Sequence, residues 1–276
     1  MTDTTIAPAG PNQRAAFPPA TFGDVLRSEW TKLRSVRSTF WALTVTVVLG
    51  VGLGAAISAA AAHGYANGSV SDKLSWDPTA LSLDGIGIAT LAIAVLGVLC
   101  ISSEYSSGMI RTSLTAVPKR GRVLAAKSLV FAAVTFVVGE VTSFAAFFVG
   151  QALISGHAPY AALGDPGVAR AVVGGGLYLA ALAVLSVAAG TLLRHPAAAI
   201  ACMIALLFVL PAIAQALPDS WRNPVTEFWP TQAGGQIASV YHSPHTLQPW
   251  PGFGVMCLFT AIVYAIAWTL LDRRDA

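Results

Sequence analysis

Residues 84–102 read DGIGIATLAIAVLGVLCIS, a run in which only Asp84, at its start, carries a charge. About 20 consecutive apolar residues in a helix are enough to cross the hydrocarbon core of a bilayer. The whole chain of 276 residues agrees with this reading, because 55% of its residues are hydrophobic and only 11% are charged. A soluble domain carries roughly 25% charged residues. The sequence therefore predicts an all-α integral membrane protein.

Apolar runs of similar length recur along the chain and predict six transmembrane helices. An even number of spans places both termini on the same side of the membrane. Lysine and arginine concentrate in cytoplasmic loops, and thirteen of them fall on the side of the termini against three on the other. We therefore expect a multi-pass protein of the cell membrane with both termini in the cytoplasm. The predicted spans cover residues 40–62, 84–102, 126–150, 169–191, 197–217 and 252–271.

The segments between the spans differ in composition. Residues 1–20 are rich in Pro, Ala and Thr, which predicts a disordered cytoplasmic tail. Only residues 192–196 separate the fourth and fifth runs, which favours a tight hairpin over one helix too long for the bilayer. The outer loop 218–251 is the longest and contains three tryptophans, which suit the membrane interface and short helices lying on or dipping into it.

Residues 21–39 predict an amphipathic interfacial helix before the first span, which we call the elbow helix. Apolar residues recur there at helical spacing, and Thr21 with Asp24 fits a capping box at its start. The arrangement predicts that Trp30 and Leu33 face apolar surroundings while Lys32 and Arg34 point away from them. The alternative is a positively charged flank that only orients the first span.

The second informative segment is the loop 103–125, where the sequence from 104 to 127 reads EYSSGMIRTSLTAVPKRGRVLAAK. Gly108 permits a turn, residues 110–117 predict a short helix, and Pro118 ends it. Such a helix beneath a membrane bundle is a plausible docking surface. The alternative is an ordinary cytoplasmic loop, since basic residues are expected there anyway.

This segment resembles the EYxxGTIRxxLxxxPxRxRxxxxxK signature of ABC-2-type transporter permeases, and residues 28–41 (SEWTKLRSVRSTFW) resemble the N-terminal segment of actinobacterial members. Met109 departs from the pattern, since the family commonly has threonine there. The resemblance implies that cytosolic ATPase subunits dock on this loop and on the elbow helix. The positions that match the coupling surface are Glu104, Tyr105, Gly108, Ile110, Arg111 and Leu114.

The resemblance also implies an exporter, in which this permease pairs with a second permease, identical or not. No GxxxxGK[ST] stretch occurs in the sequence, so we expect ATP and Mg²⁺ to be bound by the partner ATPase and no cofactor by this chain. The chain itself is then a transport subunit and not an enzyme.

Glu140 lies near the middle of the third predicted span, where a carboxylate costs about 2.5–3.5 kcal/mol on insertion scales. It is a candidate for the translocation path, with a hydrogen-bonded helix contact as the alternative. His242 and His245 lack a third ligand, so no metal site is predicted. A net charge of +3 gives no reason to expect nucleic acid. The competing function is a secondary transporter or channel that works without an ATPase, for which an internal repeat would be typical.

Overall fold

The computed structural model describes residues 21–109, 120–241, 243 and 245–273. Within these residues no strand occurs, and six helices are long and apolar enough to cross a membrane. The six predicted spans are confirmed, although the helices run beyond most of the predicted boundaries. The predicted tail 1–20 lies outside the described residues. Spans 1 to 6 cover Arg37–Asn67, Pro78–Ser106, Arg120–Ile154, Val168–Leu193, Pro196–Ala214 and Pro249–Arg273.

The elbow helix covers Phe22–Ser35 and is separated from span 1 by the extended residue Val36. Its predicted capping box is confirmed: the Asp24 amide donates to the Thr21 hydroxyl, and the Thr21 amide donates to the Asp24 carboxylate at 2.9 Å. The Thr21 hydroxyl and amide also lower the pKa of Asp24, so this cap stays ionised at neutral pH. The helix therefore has a fixed beginning.

Span 4 is the most buried of the six spans and contacts spans 2, 3, 5 and 6. Glycines permit the close approach of its neighbours. A side-chain carbon added at Gly139 of span 3 would lie 2.9 Å from the Cα of Gly176 in span 4. Small residues of this kind let membrane helices pack backbone to backbone. Span 4 is thus the central helix, and span 1 packs on spans 2 and 3 instead.

Spans 4 and 5 form the predicted tight hairpin. Span 4 ends at Leu193, Arg194 adopts a left-handed conformation with φ of 53°, and span 5 begins at Pro196. Span 5 also contains a π-helical segment, Ala205–Val209, directly before Pro211. Because proline has no amide proton and its ring crowds the preceding turn, a local change of helical geometry at this point is expected.

The loop before span 6 contains two short helices, Asp219–Phe228 and Pro230–Gly235. The first has no buried residue, whereas the second packs against span 6. The Trp229 indole donates to the carbonyl of Leu206 in span 5 at 2.9 Å. Arg170 of span 4 donates to the carbonyls of Ile237 and Ser239 at 3.1 and 2.9 Å. This loop closes one end of the bundle, which we call the far end. The elbow helix marks the opposite, elbow end.

Span 3 has 35 residues, which makes it about 52 Å long at 1.5 Å per residue and longer than the roughly 30 Å hydrocarbon core. Buried polar residues lie along its whole length, and one near each end bonds to a neighbouring element. Lys127 faces the elbow helix, and Gln151 donates to Ser82 at the far end at 2.8 Å. The 24 positions between them correspond to about 36 Å of helix. This spacing is close to the roughly 30 Å of the hydrocarbon core, so Lys127 and Gln151 are separated by about the thickness of that core.

Candidate functional site

Four charged side chains meet at the elbow end of the bundle, and we call them the ion cluster: Glu29, Lys32, Glu104 and Lys127. The Lys127 ammonium lies 2.5 Å from Glu29 Oε2 and 2.8 Å from Glu104 Oε1. The Lys32 ammonium lies 2.7 Å from Glu29 Oε1 and 3.1 Å from Glu104 Oε1. Each lysine therefore bridges both glutamates, and the cluster joins the elbow helix, span 2 and span 3.

Three of these side chains are almost fully buried. Glu29, Glu104 and Lys127 are 5%, 6% and 3% exposed, whereas the side chain of Lys32 keeps 29% of its surface. Two carboxylates and two ammonium groups balance, so the cluster has no net charge. Buried charges are tolerated when they are paired and hydrogen-bonded, and removal of one partner is strongly destabilising. The cluster is thus a structural joint between three elements.

The local sequence explains why these charges lie inside. Val25 and Glu29 are four positions apart on the elbow helix and share one face, and both are buried. Val25 packs with Val123 and Ala126 of span 3 in a small apolar cluster. Lys127 is one turn beyond Val123, so the same docking that buries Val25 brings Lys127 to Glu29. The apolar contact and the ionic contact are neighbouring parts of one interface.

Tyr105 extends the contacts from the end of span 2 in another direction. The Arg194 guanidinium lies over its ring, with Cζ 5.3 Å from the ring centroid, a distance at which a cation is attracted to an aromatic face. Arg194 is the turn residue between spans 4 and 5. The adjacent residues Glu104 and Tyr105 therefore contact, between them, the elbow helix, span 3 and the hairpin of spans 4 and 5.

The predicted coupling loop is shorter in the structure than in the sequence analysis. Span 2 continues to Ser106, and span 3 already begins at Arg120. Gly108 has a φ of +71°, which confirms that the turn there uses a conformation that suits glycine. The positions predicted at Ile110, Arg111 and Leu114 lie outside the described residues, as does the short helix predicted for 110–117.

The start of span 3 is anchored as well. Arg120 donates to the carbonyl of Leu271 in span 6 at 3.4 Å. Gly121 lies directly against the ring of Trp268, so that a side chain at position 121 would collide with the indole. Both sides of the loop therefore connect to helices of the bundle: Glu104 and Tyr105 before it, Arg120 and Gly121 after it.

The structure corrects the predicted orientation of one elbow residue. Lys32 does not point away from the bundle, because it pairs with Glu29 and with Glu104. Leu33 packs against the core, Arg34 is exposed, and Trp30 keeps 47% of its surface. The helical pattern assigned Lys32 to the polar face because that pattern cannot show a buried acid on a neighbouring helix.

Glu104 also differs from the expected position. A residue of a docking surface would be exposed, whereas Glu104 is buried under the elbow helix. Its Oε2 atom is buried, and no described residue donates to it. The coupling role suggested for Glu104 stays a prediction. In the structure, Glu104 joins the end of span 2, where the loop begins, to the elbow helix and span 3.

Sequence reasoning singled out neither Glu29 nor Lys127 as site residues. A usable signal was present, since Glu29 lies four positions after Val25 on the apolar face of an amphipathic helix. An acid at such a position requires a basic partner when the face is buried. Lys127 is the second residue of the third predicted span, where an isolated ammonium is costly if the helix end is buried. Reading the two together predicts an ion pair.

Glu140 does not belong to the ion cluster, from which it is separated by thirteen positions of span 3, or about 20 Å. It lies partly buried against Gly176 of span 4, and its Oε1 atom is buried without a donor among the described residues. The geometry is compatible with both interpretations of this residue. Its role in a translocation path stays a prediction.

Within the described residues, no group of three or more His, Cys, Asp or Glu side chains has an arrangement that could hold a metal ion. His242, one of the two histidines weighed above, lies outside those residues. The rings of His63 and His157 meet edge to face at the far end, with centroids 4.5 Å apart.

Comparison with known proteins gives one clear finding. A family model described as ABC-2 family transporter protein matches residues 25–212. The matched region runs from the elbow helix to span 5 and includes all four residues of the ion cluster. A search of curated proteins finds no match.

Proposed function

The chain belongs to the ABC-2 transporter family, and from that premise we propose that it is the membrane permease which a separate cytosolic ATPase drives. The observation that carries the proposal is the family match together with the ion cluster inside it. The match covers more than half of the chain, and the cluster lies at the root of the loop that resembles the family's coupling segment. ATP and Mg²⁺ are then bound by the partner, and this chain supplies the path.

The proposal places the elbow end in the cytoplasm. Thirteen of the sixteen lysines and arginines fall on that side in the predicted topology. The elbow helix exposes Trp30, the linking residue Val36 is exposed as well, and Phe40 and Trp41 follow at the start of span 1 with 66% and 64% of their surfaces exposed. Aromatic side chains of this kind favour the headgroup region. The elbow helix then lies at the inner membrane surface.

The contacts at the elbow end support a route for coupling. An ATPase that displaces residues 107–119 acts on two helix ends that are both fixed to the bundle. Through Glu104 the displacement reaches the elbow helix and span 3, and through Tyr105 it reaches the hairpin of spans 4 and 5. Packed elements joined by buried ionic contacts move as units rather than deforming gradually. A movement of the loop is in this way transmitted to the spans by Glu104 and Tyr105.

Export, pairing with a second permease and a role for Glu140 in the path complete the proposal, and they rest on the family resemblance and on Glu140's position within the bundle. The main competitor is a secondary transporter or channel. A carboxylate such as Glu140 inside the membrane would suit an ion-coupled carrier. The family match and the position of the ion cluster at the start of the loop favour the ATPase-driven function.

The test is isolation of the full chain, under mild detergent, from the membranes in which it is naturally made. We expect an ABC ATPase to co-purify in a fixed ratio, and its ATP turnover to change when this chain is removed. A permease that is recovered without an ATPase, together with transport that persists when ATP is exhausted but an ion gradient is kept, would establish the competing function instead.

A further inference from the structure

A cavity of about 500 Å³ lies beside the ion cluster, between the elbow helix, the start of span 1, the end of span 2 and span 3. Its volume falls within the roughly 300–1,000 Å³ typical of small-molecule sites. The exposed residues Ser35, Val36 and Ser38 form part of its rim, so the cavity can be reached from outside the bundle.

The cavity has two chemically different parts. One is apolar and is lined by Leu96, Leu99, Val130 and Phe131. The other contains the ion cluster and side-chain hydroxyls such as those of Ser103 and Thr39. A site with an apolar part and a polar part next to each other suits an amphiphile, whose tail and headgroup need these two environments.

The proposed position of the elbow helix at the membrane surface puts the cavity at the level of the lipid headgroups. The elbow helix that forms one wall is amphipathic and ends beside the exposed aromatic pair Phe40 and Trp41. Interfacial helices of this type lie at the boundary between headgroups and acyl chains. A lipid of the adjoining leaflet can therefore enter from the side, with its tail directed along span 3.

We propose that this cavity is a binding site for a zwitterionic phospholipid whose headgroup carries a primary ammonium, as in phosphatidylethanolamine. The ammonium donates to the carboxylate of Glu104, the phosphate accepts from the partly exposed Lys32, and one acyl chain occupies the apolar part. The binding requires no ATPase and is independent of the proposed coupling.

Two features select this headgroup. The ion cluster is neutral, so a ligand without net charge adds no uncompensated charge to a poorly solvated site. Glu104 accepts both of its hydrogen bonds at Oε1, and its buried Oε2 has no donor among the described residues. A buried acceptor without a donor is costly, and an ammonium that carries protons supplies one after a small rotation of the carboxylate. The trimethylammonium of phosphatidylcholine has no proton to donate.

Native mass spectrometry of the purified full chain, titrated with phosphatidylethanolamine, phosphatidylcholine or phosphatidylglycerol of identical acyl chains, tests the proposal. We expect one phosphatidylethanolamine per chain, bound roughly tenfold more tightly than phosphatidylcholine, as one charge-assisted hydrogen bond allows. Equal binding of the two zwitterionic lipids would overturn the assigned headgroup contact. Preference for phosphatidylglycerol, or binding of no lipid at a stoichiometry of one, would overturn the proposal as well.

Matched variants locate the site. Val130→Trp places an indole in the apolar part of the cavity. Leu129→Trp places the same indole at the adjacent position, where the native side chain is 55% exposed and does not line the cavity. We expect Val130→Trp to abolish the tightly bound lipid and Leu129→Trp to keep it, with both proteins eluting as intact, monodisperse species. Retention of the lipid by Val130→Trp would place the binding site elsewhere.

Discussion

Replacement of Lys127 by methionine is the sharpest perturbation of the ion cluster. The change removes the ammonium that donates to Glu29 at 2.5 Å and to Glu104 at 2.8 Å, while methionine keeps most of the volume. Two carboxylates and only Lys32 remain, so the buried cluster acquires a net negative charge. Loss of one partner of a buried ion pair costs roughly 3–5 kcal/mol. The side chain of Lys32 is 29% exposed, and water reaching it screens part of the charge. We therefore expect a loss of about 3 kcal/mol, at the lower end of that range.

The double variant Glu104→Met with Lys127→Met separates charge imbalance from loss of contact. It leaves Glu29 and Lys32, which pair within the elbow helix at 2.7 Å. Replacing a buried ion pair by apolar residues of similar volume is often neutral or stabilising. We expect the double variant to unfold within about 1 kcal/mol of the unmodified chain, and therefore to be clearly more stable than Lys127→Met alone.

The assay is equilibrium unfolding in mixed micelles, followed by tryptophan fluorescence, with Lys73→Met as control. Lys73 is exposed at the far end, where its ammonium lies 5.5 Å from the centroid of the partly buried Tyr65 ring, so its loss should cost less than about 1 kcal/mol. A loss below about 1 kcal/mol for Lys127→Met, or a double variant no more stable than the single one, would refute the description of a balanced buried cluster.

Three further outcomes follow from the structure. Gly108→Val should reduce transport-coupled ATP hydrolysis, because a β-branched residue at a φ of +71° costs about 1–2 kcal/mol, whereas Gly108→Asn should keep it; equal activity of both variants would contradict a role for the turn. In a cysteine-free background, Ser107→Cys should resist a membrane-impermeant reagent in intact cells while Val70→Cys, 77% exposed at the far end, reacts; the reverse pattern would invert the topology. Glu140→Gln should lower transport at normal membrane levels, and an equal loss of folded protein would instead indicate a packing role.

The spans could be predicted because length and apolarity are sufficient to define a membrane helix. Their ends could not, because helices continue past the apolar core into charged segments. Span 1 begins at Arg37 and span 3 at Arg120, where the hydropathy pattern alone gives a loop. Arg37 is exposed to solvent and the guanidinium of Arg120 donates to the carbonyl of Leu271, so neither charge stops its helix.

The ion cluster was less accessible to sequence reasoning because its four members come from three elements separated by up to 98 positions. A helical pattern assigned Lys32 to the polar face, and a motif assigned Glu104 to a docking surface. Both residues are instead joined to Lys127 and Glu29 inside the interface of the elbow helix. Which helix a charged face meets is decided by tertiary packing, and periodicity along one helix does not contain that information.

The central claim is that the ion cluster transmits the movement of the loop to the bundle, and ATP hydrolysis by the reconstituted complex tests it most directly. The measurement compares the unmodified chain with the double variant Glu104→Met with Lys127→Met, at equal amounts of bound ATPase. We predict that the double variant still binds the ATPase and loses most of the transport-coupled hydrolysis, because the ionic contacts that Glu104 and Lys127 make with the elbow helix are removed. Coupled hydrolysis at the unmodified rate would contradict the claim.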